Sequence, residues 1–368
     1  MKTGALAGTI YGNEWQMVYD SGELAAAVTS LTISNLNGDT DKEYRIISRL
    51  VSGAANTNFY VRPNNDAGTG TYGEQWINGA NTTLAAYRQT TGIGFYNHYE
   101  LNASGQVNFA DLVLYAKSGY IRSGITKYMD GVVGGAIVNV GSVAGCWNNT
   151  ADNITSIVIA ADQTNGLGIG SRFILLRRAD RDASTIGKTG KINAYGKIKG
   201  CFQKIYENDI LSATTSVTVS GLDGNTDVLY RAVVRLVDGS GLGGGTNCVI
   251  RYNNDAGANY FFQHATGYYT APFAGSTAFN GDLIAQDNVT TGSIEGFGEK
   301  LIFAKSGYVR TSLARMIGEY ASGDVNYAML LGNVWSNTAD NITSMVFYSG
   351  QTNGFGVGSH IELWAYRP

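Results

Sequence analysis

The residues with the most chemistry in them stand in short polar runs that each occur twice. Asn64-Asn65-Asp66, followed by Ala-Gly, returns as Asn253-Asn254-Asp255 with the same followers. Amides and a carboxylate near Tyr72 or Tyr260, and near Arg62 or Arg251, are groups that grip a sugar by ring stacking and planar hydrogen bonding. The same triplet before Ala-Gly also reads as an ordinary turn, since Asn tolerates the left-handed backbone. Trp147 and Trp335 each head a polar run ending in N-T-A-D-N and pose the same choice. Each is either a stacking platform for a sugar or a cap over an apolar core.

A second pattern could hold a hard cation. Asn37, Asp39 and Asp41 recur as Asp223, Asn225 and Asp227, which places oxygen-bearing side chains at alternate positions. Such spacing can wrap Ca²⁺, so Asp39, Asp41, Asp223 and Asp227 are candidate ligands. The glycine and terminal glutamate of an EF-hand are missing, with Val228 and Val234 in those places in the second copy. Asx residues in a hairpin turn account for the same pattern. Arg45, Arg49 and Arg62 are matched by Arg231, Arg235 and Arg251. They predict either a cationic stripe on one sheet face or pairing with nearby carboxylates such as Asp66 and Asp255.

Catalytic groups do not recur in this way. His98 aligns with Gln286, His264 with Trp76, and His360 with Arg172, and there is no GxSxG or HExxH string. Cys248 aligns with Phe59, Cys146 with Val334 and Cys201 roughly with Trp15, so the thiols read as apolar core positions. Asp152 and Asp340 recur, as do Asp66 and Asp255, but no carboxylate pair stands out as a glycosidase acid and nucleophile. No catalytic residue and no cofactor is expected.

The elements that must position these residues come from an internal repeat. WNNTADNITS at Trp147–Ser156 returns as WSNTADNITS at Trp335–Ser344, and QTNGLGIGS at Gln163–Ser171 as QTNGFGVGS at Gln351–Ser359. YAKSGYIR, RPNNDAG and LNGDTDKEYR return in the same order as FAKSGYVR, RYNNDAG and LDGNTDVLYR, at an offset of about 188 residues. A period this long is that of duplicated domains, not of a solenoid. The expected units are 1–178 and 191–368, joined by a linker over 179–190.

Within the units the periodicity is that of strands. In Tyr230–Val237, Tyr230, Ala232, Val234 and Leu236 form one face and Arg231, Val233, Arg235 and Val237 the other. Tyr44–Val51 repeats this, and Ile154–Ala160 and Arg172–Arg178 read as further strands. Asn37-Gly38 and Asp223-Gly224 read as hairpin turns. Only Tyr120–Met129 and Tyr308–Tyr320 have a weakly helical look. Many short strands predict an all-β chain of two tandem β-sandwich, jelly-roll-like domains.

Composition agrees with that fold and excludes some functions. Of 368 residues, 49 are Gly, 23 Tyr and only 3 Pro, while charged residues make up 15%. The net charge of −3 leaves no basic surplus for phosphates, so no nucleic-acid partner is expected. No apolar run reaches the roughly 20 residues of a membrane helix. Met1 to Trp15 has no apolar h-region, so export is not expected.

The strings LDGNTDVLYR, FAKSGYVRTS and NTADNITSMVF…QTNGFGVGS resemble modules of tailed-bacteriophage structural proteins. These are tail-associated, fibre or capsid-decorating proteins with jelly-roll-like domains. The resemblance covers both repeats and rests on glycine, turn and strand patterns. It implies a non-enzymatic virion component made and assembled in the host cytoplasm. Its partners would be other capsid or tail proteins and further copies of itself, with host-surface glycan as a possible ligand.

Overall fold

The computed structural model describes residues 15–80, 82–96, 101–132, 137–178, 202–239, 246–268, 273–286, 295–319 and 325–368. The expected linker over 179–190, together with His98 and Cys201, lies outside the described residues.

The first half contains β1 (Trp15–Asp20), β2 (Ser30–Ser34), a one-turn helix α1 (Gly38–Asp41), β3 (Glu43–Val51), β4 (Phe59–Pro63), β5 (Tyr72–Ala80) and β6 (Thr83–Gly92). It continues with β7 (Phe95–Tyr96), β8 (Val107–Tyr115), β9 (Arg122–Val132), β10 (Asn139–Trp147), β11 (Ser156–Ala161) and β12 (Arg172–Arg178). The second half runs β13 (Phe202–Asp209), β14 (Ser216–Ser220), α2 (Gly224–Asp227), β15 (Leu229–Val237), β16 (Asn247–Tyr252), β17 (Tyr260–Tyr268) and β18 (Phe273–Phe279). It ends with β19 (Asp282–Gln286), β20 (Glu295–Phe303), β21 (Arg310–Glu319), β22 (Val325–Trp335), β23 (Ser344–Ser349) and β24 (His360–Tyr366).

Each half has one large and one small antiparallel sheet. The large sheets run β1-β12-β3-β8-β9-β10-β5-β6 and β13-β24-β15-β20-β21-β22-β17-β18. The small ones run β2-β11-β4-β7 and β14-β23-β16-β19. Adding twelve to every strand number of the first half gives the order of the second. With β1 and β12 set aside as an edge, and β8 to β10 counted as one expanded position, the large sheet reads β3-(β8–β10)-β5-β6. Facing β2-β11-β4-β7, that is the double Greek-key connection of a jelly roll.

Side-chain alternation decides what lies between the layers. Ile33, Ile46, Phe59, Leu112, Trp147 and Ile157 fill the first sandwich, and Ile250, Ile302, Trp335 and Phe347 are among those filling the second. Tyr230, Ala232, Val234 and Leu236 are all fully buried on the inner face of β15, as the period-two reading requires.

Part of the outer face of each large sheet is not left to water. Ile47, Phe109, Met129 and Val140 of the first half share one apolar cluster with Leu229, Leu301, Phe303 and Val334 of the second. The layers therefore stack small, large, large, small. Cβ of Met129 sits so close to Gly332 that a side chain there would have no room.

Two local expectations are corrected. Tyr120–Met129 is not helical, because Arg122, Gly124, Thr126 and Tyr128 are buried in strict alternation with exposed Ser123 and Ile125, and the described part of Tyr308–Tyr320, which ends at Glu319, is not helical either. That period builds β9, whereas β21 is buried on both faces from Arg310 to Ala314 and alternates only from Arg315 to Gly318. Asn37-Gly38 and Asp223-Gly224 are not hairpin turns either. The Asn37 and Asp223 side chains accept from the Thr40 and Thr226 amides and cap the one-turn helices α1 and α2. Among the described residues no helix is long and apolar enough to cross a membrane.

Candidate functional site

The polar triplets are left-handed turns in both halves. Asn64 and Asn65 have φ of 51° and 56°, and Asn253 and Asn254 have 53° and 59°. The Asn64 amide donates to the Asn153 carbonyl (2.8 Å), and its oxygen accepts from the Thr155 (2.8 Å) and Ser156 (3.2 Å) amides. Asn253 makes the same three bonds with Asn341, Thr343 and Ser344. Each triplet is thereby tied to the N-T-A-D-N loop, and only Asn65 and Asn254 are exposed at the tip.

The aromatic groups converge beneath these turns, but they face inward. The Trp147 indole donates to Asp66 at 2.7 Å, and that of Trp335 donates to Asp255 at 2.8 Å. Tyr72 stacks on Trp147 with ring centres 6.4 Å apart, and Tyr260 on Trp335 at 6.2 Å. None of the four side chains is more than 1% exposed. A sugar stacks on an open ring face, and these faces are closed. The sequence-predicted residues are thus brought together as a cluster that fastens loops to the sandwich core.

Arg122 and Arg310, which sequence reasoning did not single out, complete each cluster. Their guanidinium groups lie over Trp147 and Trp335 at 5.2 and 5.1 Å. Arg122 donates to the Asn149 and Asp152 carbonyls, and Arg310 to those of Asn337 and Asp340. Burial, only partly offset by Asp340, pushes Arg310 down to about 10, where it is still a cation at neutral pH. The signal for these residues was present, since both arginines end the repeated block A-K-S-G-Y-x-R.

The candidate cation ligands point apart. Asp39 accepts from the Ser118 amide (2.7 Å), whereas Asp41 accepts from the Tyr44 hydroxyl (2.7 Å) and from Arg177 (3.1 Å). Asp223 accepts from Thr226 Oγ1 (2.6 Å) and Asn341 (2.9 Å), and Asp227 from the Tyr230 hydroxyl (2.7 Å) and Arg367. Capping and core anchoring use these oxygens.

Among the described residues, three metal-ligating side chains approach one another only at Glu207, His360 and Glu362. There the imidazole also meets Asp209 at 2.6 Å. Burial opposes its charge, but Asp209 and Glu362 outweigh that and raise its pKa. Arg172 holds the same place in the first half, between Asp20 (2.7 Å) and Glu23 (2.9 Å). His360 therefore stands where its counterpart is a plain cation.

The arginine set divides, so the single-stripe expectation is corrected. Arg62 donates to the Ile93 carbonyl (2.8 Å) and Arg251 to that of Asn280 (3.0 Å), both on the small sheets. Neither uses Asp66 or Asp255, which the indoles occupy. Arg45 instead pairs with Asp111 (2.7 Å), and Lys127 joins from the other side at 3.0 Å. In the second half Arg231, Glu299 and Arg315 repeat this trio at 2.6 and 2.5 Å.

Both trios lie on the outer faces of the large sheets. Burial opposes ionisation of both acids, but the flanking cations outweigh it, leaving Asp111 far below the usual range and Glu299 at about 2. Lys127 also acts on Glu299, across the junction between the halves. Arg49 adds a further bridge, lying 4.3 Å over the Tyr308 ring, and Lys305 reaches Glu23 at 2.6 Å.

Of the thiols, Cys248 is sealed in the core, where burial pushes its pKa up, while Cys146 is only half-buried. The core reading therefore fits Cys248 and is corrected for Cys146.

No protein-family model and no curated protein matches the sequence. Among solved structures, the tesB protein of Mycobacterium avium subs paratuberculosis is 7% identical over 72% of this chain and 77% of its own, with a TM-score of 0.13. The botulinum neurotoxin serotype C1 binding domain is 7% identical over 88% and 87%, with a TM-score of 0.16. Mouse laminin alpha1 chain domains LG4-5 are 9% identical over 94% and 83%, with a TM-score of 0.15. Scores this low carry no argument about function.

Proposed function

We propose that this chain is a non-enzymatic structural component of a tailed-bacteriophage virion, decorating the capsid or associated with the tail or its fibres. The observation that carries the reading is where the chain spends its polar groups. In both halves the recurring loop residues bond to one another and to the core, and the recurring ion trios serve the junction between the large sheets. A protein organised this way acts as a block that presents surfaces to neighbours. Assembly into a particle with other virion proteins, and with further copies of itself, is the use such a block suits.

The test is to purify particles from cells that make this chain and to image them with an antibody against it. The reading expects label at a fixed site on capsid or tail, and this chain in the particles at constant copy number. Particles that lack the chain, with all of it free in solution, would contradict the reading.

Glycan adhesion is a second role compatible with the first, and one feature favours it. A groove of about 660 Å³ in the first half is lined by Gln75, Arg88, Gln89, Glu43 and Tyr115. Planar amides, a guanidinium and a ring edge are what a sugar-binding groove offers. A glycan array of bacterial and mucosal sugars should give hits that weaken in Gln75→Ala, and an array with no hits removes this role. A glycan-degrading enzyme, the remaining alternative, would need an exposed carboxylate pair beside the bound sugar.

A further inference from the structure

The two large sheets do not stay in contact over their whole outer faces. Where they diverge, they leave a cleft of about 640 Å³ between the halves. Ile77 and Ile125 of the first half and Phe297 and Ile317 of the second line it. These four are exposed by 51, 57, 43 and 39%, far more than core strand residues. Scattered exposed apolar side chains need no explanation, but a concave cluster of them marks a binding surface. Its volume is that of a small-molecule site.

Among the described residues that line the cleft, the charged ones are of one sign. Lys127 and Arg315, one from each ion trio, line it. The two trios together hold four cations, Arg45, Lys127, Arg231 and Arg315, against the two carboxylates Asp111 and Glu299. Arg315 commits Nε and Nη2 to Glu299, and its side chain is 63% exposed. A purely apolar occupant would make no use of this excess, whereas an anionic headgroup at Arg315 would offset it.

We propose that this cleft binds a single-chain anionic amphiphile, with a long-chain carboxylate as its simplest form. The chain lies against Ile77, Ile125, Phe297 and Ile317, and the headgroup accepts from Arg315 with Lys127 beside it. Charge-assisted bonds of this kind are stronger than neutral ones, so the headgroup sets the preference and the hydrocarbon supplies most of the binding.

The test uses the full chain, with fluorescent dansyl-undecanoic acid as reporter and oleate or oleyl alcohol as competitor. Oleate should displace the reporter saturably and more tightly than the alcohol. Arg315→Gln should weaken oleate about tenfold while leaving the alcohol unchanged, the loss expected for one charged hydrogen bond. Ala328 lines the cleft from an exposed position, so Ala328→Trp should fill it and abolish both. Thermal melts of both variants establish that they are folded. Absence of saturable reporter binding by the native chain overturns the proposal, as does an oleate affinity indifferent to both variants. Light scattering that gives the mass of two chains, with the reporter excluded, assigns the cleft to a second copy and also overturns it.

Discussion

Lys300 has no exposed surface and ends in the middle of the second sandwich, bonded to Asp282 and to Ser312 Oγ at 3.2 Å. The Tyr252 hydroxyl also donates to Asp282, as does Ser312 at 2.8 Å. A lysine, a serine and a carboxylate this close could do acyl-transfer chemistry in an open site. Here Lys300, Asp282, Ser312 and Tyr252 are each at most 3% exposed, so the cluster is a buried ion pair closed to a substrate. The corresponding place in the first half holds Phe95, Leu112 and Gly124, and is apolar. Removing one partner of a buried pair strands the other, so Asp282→Ala should cost about 3–5 kcal/mol. Adding Lys300→Met to Asp282→Leu should recover much of that loss. Urea unfolding of the single and double variants checks this, and equal losses in all of them would refute it. Sequence alone could not find this cluster, because it is absent from the other copy and its members come from four different strands. The Asn64 and Asn253 turns were legible, because Asn before a small residue and Gly has a strong local preference. What those turns bond to was not, because Asn153 and Asn341 lie about ninety residues away.

At the scale of elements, the glycines of Q-T-N-G-x-G-x-G-S explain themselves through their neighbours. Gly53 donates to the Gly166 carbonyl at 2.7 Å, and Gly168 to that of Val51 at 2.8 Å. A Cβ on Gly53 would collide with the Asn165 carbonyl oxygen, and one on Gly239 with Asn353 and Gly356. The loop before β12 and the end of β3 can only close this tightly if both chains lack side chains there. Gly53→Ala should therefore destabilise by about 1–3 kcal/mol, read as a lower denaturation midpoint with an unchanged slope. An unchanged midpoint would show that the loop yields. Strands were readable where one face is apolar, as in β3 and β15. They were misread at β9 and β21, where glycines and polar residues share the buried face and blur the alternation. Order within the sheets was not readable, because pairing such as β11 with β2 and β4 joins residues far apart in sequence.

For the whole molecule, the ion trios make the junction between the halves sensitive to acid. Glu299 is held at about 2 against an ordinary value of 4.5, and Asp111 lies lower still. A carboxylate with a depressed folded pKa contributes stability above its unfolded pKa and loses it as pH falls through the folded value. Glu299 alone should contribute on the order of 3 kcal/mol at neutral pH, lost between about pH 4.5 and 2. Thermal melts across that range should show the loss, and Glu299→Gln should flatten it. An identical acid profile in the variant would contradict the assignment. The repeat made two similar halves legible, but not their contact. Asp111 and Glu299 differ in identity, so the trio they centre never appeared as a shared block.

Both the scaffold reading and the cleft depend on the two large sheets meeting within one chain. A cross-link tests this most directly. A Cβ on Gly79 would stand 3.3 Å from that of Ala274, close to the separation a disulfide bridges. With Cys146, Cys201 and Cys248 replaced by serine or alanine, the Gly79→Cys/Ala274→Cys variant should oxidise to a disulfide that keeps the mass of one chain. A disulfide found only in species of two chains, or no disulfide at all, would mean that these faces do not pack against each other as described.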